Sequence, residues 1–227
     1  MPSLSQLLAD HENLLILDAA STQTQVGLLR PAAPSLWQRT PDEAGRGMFV
    51  ATQQILSGSG LRLDDIGAFV FCEGPGSMLG VRTIAMALRT WVALKPRAVF
   101  SYQSLALAAG VYWLANAPRP FTVVADARRD TWHVQPIATD GLLSPIQRVP
   151  AAELPAGELV TPENFRAWSK PPRAFGTCGY DLAQLFAALK DEDLFRATEA
   201  PDAFQHEAPE YKKWPATIHS SETATKK

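Results

Sequence analysis

The chain has 227 residues, of which 46% are hydrophobic and 19% charged, and its formal net charge is −2. A chain of this length buries about 70% of its unfolded surface and needs no disulfide or metal staple, and so small a net charge argues against a basic face and against autonomous nucleic-acid binding. Cys72 and Cys178 lie far apart in apolar or glycine-flanked surroundings, which suits inert reduced thiols; with no run of about 18 apolar residues and no basic-then-apolar leader, the expectation is a cytoplasmic protein with no membrane span.

Residues 1–13 are polar and without clear period, and read as an N-terminal extension with one helical turn at 4–8. Residues 14–17 form a continuous apolar run of the kind found in central strands, ended by Asp18. Residues 24–29 alternate, and 35–38 follow beyond Pro31 and Pro34, so three strands come in succession. A helix is expected over 45–56, where Met48, Phe49, Ile55 and Leu56 fall at helical spacing, and Gly58, Ser59 and Gly60 stop it. A turn at 63–66 then leads into a strand at 68–72.

A glycine-rich loop follows at 74–80, and then a helix at 81–94. Gly74, Gly76 and Gly80 permit positive φ and close backbone approach, while Ser77 can cap the helix. This geometry suits a simple strand-to-helix turn, a phosphate site or a partner-facing loop. No Lys-Ser or Lys-Thr pair follows Gly80, which excludes the Walker pattern. Along the helix, Val81, Ile84, Leu88, Trp91 and Val92 share one arc, which is expected to pack on a sheet. Arg82 and Arg89 are its only charges, beside Ala85, Met86 and Ala93, so this helix has almost no solvated face. Either the C-terminal half of the chain covers that surface or a partner does.

Beyond Pro96, a strand at 98–102 precedes a helix at 103–117 that is broken at Gly110, ended by Pro118, and expected to connect two subdomains. Strands at 121–125 and 132–137 bracket the polar turn Asp126, Ala127, Arg128, Arg129, Asp130 as a hairpin. Short strands and loops fill the proline-rich stretch 138–172, a last helix spans 180–189, and the polar tail beyond Trp214 reads as mobile. The division expected is a first subdomain at 14–102, a second at 103–215 and a tail at 216–227.

Few residues offer chemistry. The histidines at 11, 133, 206 and 219 give no i, i+4 pair and have no cysteine couple beside them, so no metal site is expected. Asp18 is either a carboxylate that orients a cation or the head of an Asx-type turn. Asp126 and Asp130 are either an acid/base pair or a solvated turn beside Arg128 and Arg129. Ser77 lacks the context of a nucleophile, and no catalytic residue is assigned.

The loop residues Gly74, Pro75, Gly76, Ser77, Met78, Leu79, Gly80, Val81 and Arg82 resemble the Gly-Pro-Gly-Ser-Phe-Thr-Gly-Leu/Val-Arg signature of the TsaB family of tRNA threonylcarbamoyladenosine biosynthesis proteins, matching at seven of nine positions. Other segments resemble the family in the same order: Leu14 to Ser21 its opening strand and turn, Ser101 to Ala106 its Val-Ser-Ser-Leu-x-Ala junction, Asp126 to Asp130 its Asp-Ala-Arg hairpin, and Pro209, Glu210 and Tyr211 its closing Pro-x-Tyr. The chain departs from the pattern at Met78 and Leu79, at Thr83 to Ala87 after Arg82, and at Glu43 to Gly47, where many members carry a histidine.

The resemblance implies an α/β, actin-like ATPase (ribonuclease H-like) fold with two subdomains, each a mixed sheet with packed helices. It also implies a non-catalytic accessory subunit that binds and activates a TsaD-like catalytic subunit, with a TsaE-like ATPase as a further partner. A homodimer through the same surface is open, and direct tRNA binding by the chain alone is not expected. No cofactor is expected on the chain by itself, with ATP or ADP placed at a subunit interface. On this reading Asp18, Gly74, Gly76, Ser77, Gly80 and Arg82 form a nucleotide or partner loop. Met48, Thr52 and Ile55, with Thr83, Ala85, Met86, Arg89, Thr90 and Ala93, form the partner face. The rival classes are an autonomous nucleotide-dependent enzyme built on Asp18 and the loop, and a metallopeptidase-like hydrolase.

Overall fold

The computed structural model describes residues 1–116 and 118–204; the closing residues 209–211, His206, His219, Ala117 and the tail lie outside them. The first sheet contains β1 (Leu14–Asp18), β2 (Thr24–Arg30), β3 (Ala33–Thr40), β4 (Ala68–Gly74) and β5 (Ala98–Gln103). In space they run β3-β2-β1-β4-β5, antiparallel across β3/β2/β1 and parallel across β1/β4/β5. The second sheet contains β6 (Phe121–Asp126), β7 (Thr131–Ile137), β8 (Gln147–Pro150), β9 (Leu159–Pro162) and β10 (Gly176–Cys178), in the order β8-β7-β6-β9-β10 with the same sequence of directions. The molecule therefore contains one ribonuclease H-like pattern twice. The expected α/β, actin-like fold is observed.

The helices are distributed unequally. In the first lobe α2 (Ala44–Ser59) joins β3 to β4 and α3 (Met78–Leu94) joins β4 to β5. Both follow the hydrophobic period: Met48, Ala51, Thr52, Ile55 and Leu56 on α2, and Val81, Ile84, Leu88 and Trp91 on α3, are buried against the sheet with Leu15, Leu17, Phe69 and Phe71. Burying one such side chain is worth about 1.5–3 kcal/mol. α4 (Ser104–Asn116) follows β5 and packs on both sheets, as its apolar composition requires. In the second lobe, between β9 and β10, the chain runs as a loop over residues 163–175 where the first lobe has a helix, and α5 (Leu182–Ala188) follows β10.

Two assignments are corrected. Residues 1–13 are not a free extension, because the helical turn expected at 4–8 is α1 (Leu4–Asp10), which is closed by a capping box between Ser3 and Gln6, buries Leu4 and Leu7, and donates Ser5 N–H to Lys190 O at 2.9 Å. Nor do residues 196–204 belong to the second lobe. Strand β11 (Arg196–Ala197) pairs antiparallel with β5 at the edge of the first sheet, and Phe204 N–H donates to Glu73 O at 2.6 Å. The central core between the lobes joins Tyr102, Phe186 and Phe195 in edge and stacked contacts. No helix among the described residues is long and apolar enough to cross a membrane.

Candidate functional site

The loop after β4 is shaped by the turn it touches. Its Gly74–Pro75 peptide is cis, Gly74 has φ +104°, and Ser77 caps α3 by accepting from Gly80 N–H. Ser77 N–H donates to Ala20 O at 2.7 Å, and Ser104 Oγ donates to Pro75 O at 2.5 Å. A Cβ on Gly76 would lie 2.3 Å from Ala20 O, and one on Gly80 2.3 Å from Ala19 O. The glycines at 76 and 80 are thus required by the backbone of the β1–β2 turn, which presses against both positions.

That turn carries Asp18, which is fully buried. One carboxylate oxygen accepts Ala20 N–H at 2.8 Å, and the other accepts the hydroxyls of Tyr102 at 2.6 Å and Tyr180 at 2.8 Å. Burial raises the Asp18 carboxyl above its ordinary value of 3.8 despite these three donors. Burial and the Asp18 charge push both tyrosines well above 10, and burial first, then Asp18, pushes Cys72 well above 9. Asp18 is an Asx-type turn head locked between two phenols. These residues do not fit the cation of a nucleotide, since Asp18 is fully buried and three of its roughly four acceptor sites are taken inside the protein. Cys178 is likewise a buried thiol, pushed up to about 12 by burial and, less, by the Glu163 charge, as expected of an inert cysteine.

The expected partner face is divided by burial. Met48, Thr52, Ile55 and Ala85 belong to the chain's own core, being 0%, 5%, 3% and 2% exposed, so they cannot serve as contact residues. The family resemblance placed them on the partner face, but the sheet takes that side of both helices. Thr83 is half-buried, and Met86, Arg89, Thr90 and Ala93 are exposed. Met86 lies at the centre of the exposed arc of α3, with Met78, Leu79 and Leu94 also uncovered, and Phe49 and Val50 exposed on α2. Phe49 meets the edge of Trp91, which ties the two helices together. Arg82 is exposed near the start of α3, while Arg89 donates to Pro201 O at 2.6 Å and pairs with Asp202 at 3.2 Å. Residues 201–202 therefore meet this face at Arg89, and among the described residues Met86 stays exposed.

Asp126 and Asp130 do not form an acid/base pair. Asp126 is buried and accepts Arg128 N–H at 2.5 Å with one oxygen, and Trp168 N–H at 2.7 Å and Ser169 N–H at 2.5 Å with the other. Asp130 is exposed at the hairpin tip. Tyr102, Tyr180 and Trp168 escaped notice in the sequence because their role comes from contacts across 84, 162 and 42 residues. Among the described residues no group of three or more His, Cys, Asp or Glu side chains is placed to hold a metal ion.

Twin ribonuclease H-like lobes, with a carboxylate sealed between them by two phenols, define a member of the actin-like fold class. Among solved structures, the chain is similar to an uncharacterized Pseudomonas aeruginosa protein with similarity to peptidase YeaZ. The likeness has TM-score 0.62 and 19% identity, and covers 86% of this chain and 100% of that one. It is also similar to YeaZ from Pseudomonas aeruginosa, with TM-score 0.55 and 19% identity over 66% of this chain and 76% of that one. At this identity the likeness is one of fold. No family model matches the chain, and no curated protein matches it.

Proposed function

We propose that this chain is a TsaB-like accessory subunit that binds and activates a TsaD-like catalytic subunit in the threonylcarbamoyladenosine modification of tRNA. The observation that carries the reading is a conjunction: the Gly-Pro-Gly-Ser loop signature at 74–82 sits on a YeaZ-like fold, at the head of a helix whose outer face is left apolar around Met86. An exposed apolar stripe of this kind is the usual mark of a protein interface. A bound ATP or ADP in this reading sits at the subunit boundary and not on Asp18. A TsaE-like ATPase would join the same assembly, and without its partner the chain would pair with a second copy through the same helices.

The test is co-purification with the TsaD homologue of the same cell. A glutamate at Met86, in the middle of the uncovered arc, is expected to abolish capture and the stimulation of catalysis while changing the melting temperature little, since exposed positions tolerate substitution within about 0.5 kcal/mol. If the TsaD homologue neither binds nor responds to the unaltered chain, the reading fails.

A further inference from the structure

The second lobe carries a surface that the accessory-subunit reading does not use. Arg128, Arg129 and Asp130 are three consecutive non-glycine residues in the left-handed region, with φ of 65°, 53° and 53°. Such residues cost of order 1–3 kcal/mol each and persist where the surroundings over-determine them. Here Asp126 supplies that determination. Its carboxylate gathers the N–H groups of Arg128, Trp168 and Ser169, clamping the hairpin tip to the loop between β9 and β10. The clamp sets the Arg128 guanidinium over the Trp168 indole at 4.3 Å from the ring centroid, while Trp168 stays 47% exposed. Arg148 ties the base of the hairpin by donating to Thr131 Oγ1 and Ala127 O.

Charge concentrates on these two segments. Residues 126–131 and 163–175, with Arg148, hold six cations (Arg128, Arg129, Arg148, Arg166, Lys170 and Arg173) against three carboxylates, of which Asp126 is turned inward. All six cations are exposed. Thus a chain of net charge −2 has a local patch of net +3. The patch does not stand apart from the glycine loop, because Thr22 N–H donates to Asn164 O at 2.7 Å, next to the turn that the loop clasps.

We infer that the hairpin tip and the 164–170 loop form an RNA-binding surface that takes unpaired nucleotides, with Trp168 and Arg128 offering a stacking platform and Arg129, Arg166 and Lys170 contacting phosphates. Positive charge beside an exposed aromatic plane is the combination that holds single-stranded segments. An acidic protein would also engage the arginines, but only a nucleic acid adds base stacking on the Trp168 and Arg128 planes. The surface lies on a different lobe from Met86 and does not need the partner proposed above.

The experiment is fluorescence anisotropy of the full chain, without partners, against three labelled probes at low salt: an RNA stem–loop with an unpaired loop, a blunt RNA duplex of equal length, and a poly-glutamate peptide. The stem–loop is expected to bind with Kd in the range of about 10⁻⁴ to 10⁻⁶ M, with affinity falling as salt rises. Trp168→Ala should weaken it by about 10-fold, in line with the loss of one base–aromatic stack. Arg129→Ser and Lys170→Ser, at exposed positions that leave the fold intact, should each make the salt dependence shallower. Met86→Glu should leave RNA binding unchanged, which separates failure here from failure of the partner reading. Absence of stem–loop binding, equal binding of the duplex, equal binding of poly-glutamate, or indifference to all three substitutions on this surface would overturn the inference.

Discussion

The two lobes repeat one topology, and the same position in each ends in an aspartate. Asp18 closes β1 and Asp126 closes β6, and each accepts the N–H two residues ahead, from Ala20 and from Arg128. The difference lies in what comes next to them. In the first lobe the neighbours are a glycine loop, a 17-residue helix and two phenols, and the aspartate disappears into the core. In the second lobe the corresponding helix is replaced by a loop, and the aspartate binds backbone N–H groups that hold cations at the surface. Topology fixes where a carboxylate stands, and the connecting segments decide whether it is sealed inside or used to shape an exposed tip.

That contrast can be broken most severely on the first-lobe side. Gly76→Ala and Gly80→Ala each drive a Cβ to 2.3 Å from a backbone oxygen of the β1–β2 turn. Each is expected to cost about 3 kcal/mol or more, and so to lower the melting temperature by roughly 6–12 °C in thermal unfolding. On the second-lobe side, Asp126→Ala removes the acceptor of three backbone donors. A loss of about 2–3 kcal/mol is expected, with a change in tryptophan fluorescence as the Arg128–Trp168 stack is released.

Next in size, Tyr180→Phe takes one of the two phenols from a buried carboxylate and should cost about 1.5–3 kcal/mol near neutral pH. The sign of the associated pH effect is set by burial, which raises the folded-state pKa of Asp18 above 3.8. A buried group with a raised pKa binds its proton better when folded, so its contribution to stability is largest at acid pH and declines as pH rises through the interval above 3.8. Asp18→Asn should flatten the stability profile over that interval; a parallel profile would show that Asp18 does not titrate there. The smallest effect is expected at the hairpin tip. Arg129→Gly relieves a left-handed arginine and should raise stability by about 0.5 kcal/mol in denaturant unfolding, while weakening RNA binding if the tip is strained for that purpose.

Much of the first lobe was legible in the chain because its signals are local. The apolar run before Asp18, the hydrophobic period of α3 and the cap at Ser77 each depend on residues within one turn or one strand. The second sheet was legible as a hairpin and little else. Strands β8, β9 and β10 are three or four residues long, too short for a period to register, and they are held by pairing and not by propensity. Strand β11 was invisible for the same reason, although it brings the chain back to the first sheet. At the candidate site, the glycines announced a close approach but not to what. It took the turn at Ala19 and Ala20 to show that their partner is the protein's own backbone. Around Met86 the exposed positions Arg89, Thr90 and Ala93 were placed on the right side of α3, whereas Ala85 and the α2 residues Met48, Thr52 and Ile55 were misplaced, since apolar and small residues occur on both sides of these helices.

Gln25 reaches across the gap between the lobes with both ends of its amide, donating to Tyr180 O at 2.9 Å and accepting Leu182 N–H at 3.1 Å, at 2% exposure. Together with the phenols on Asp18 and the strap from Thr22 to Asn164, it fastens the halves as rivets fasten two plates. Prying them apart would strand several buried polar groups at once, each at about 1–3 kcal/mol. A jaw so fastened resists biting and releasing, and the helix face of one plate stands at a set distance from the arginine tip of the other.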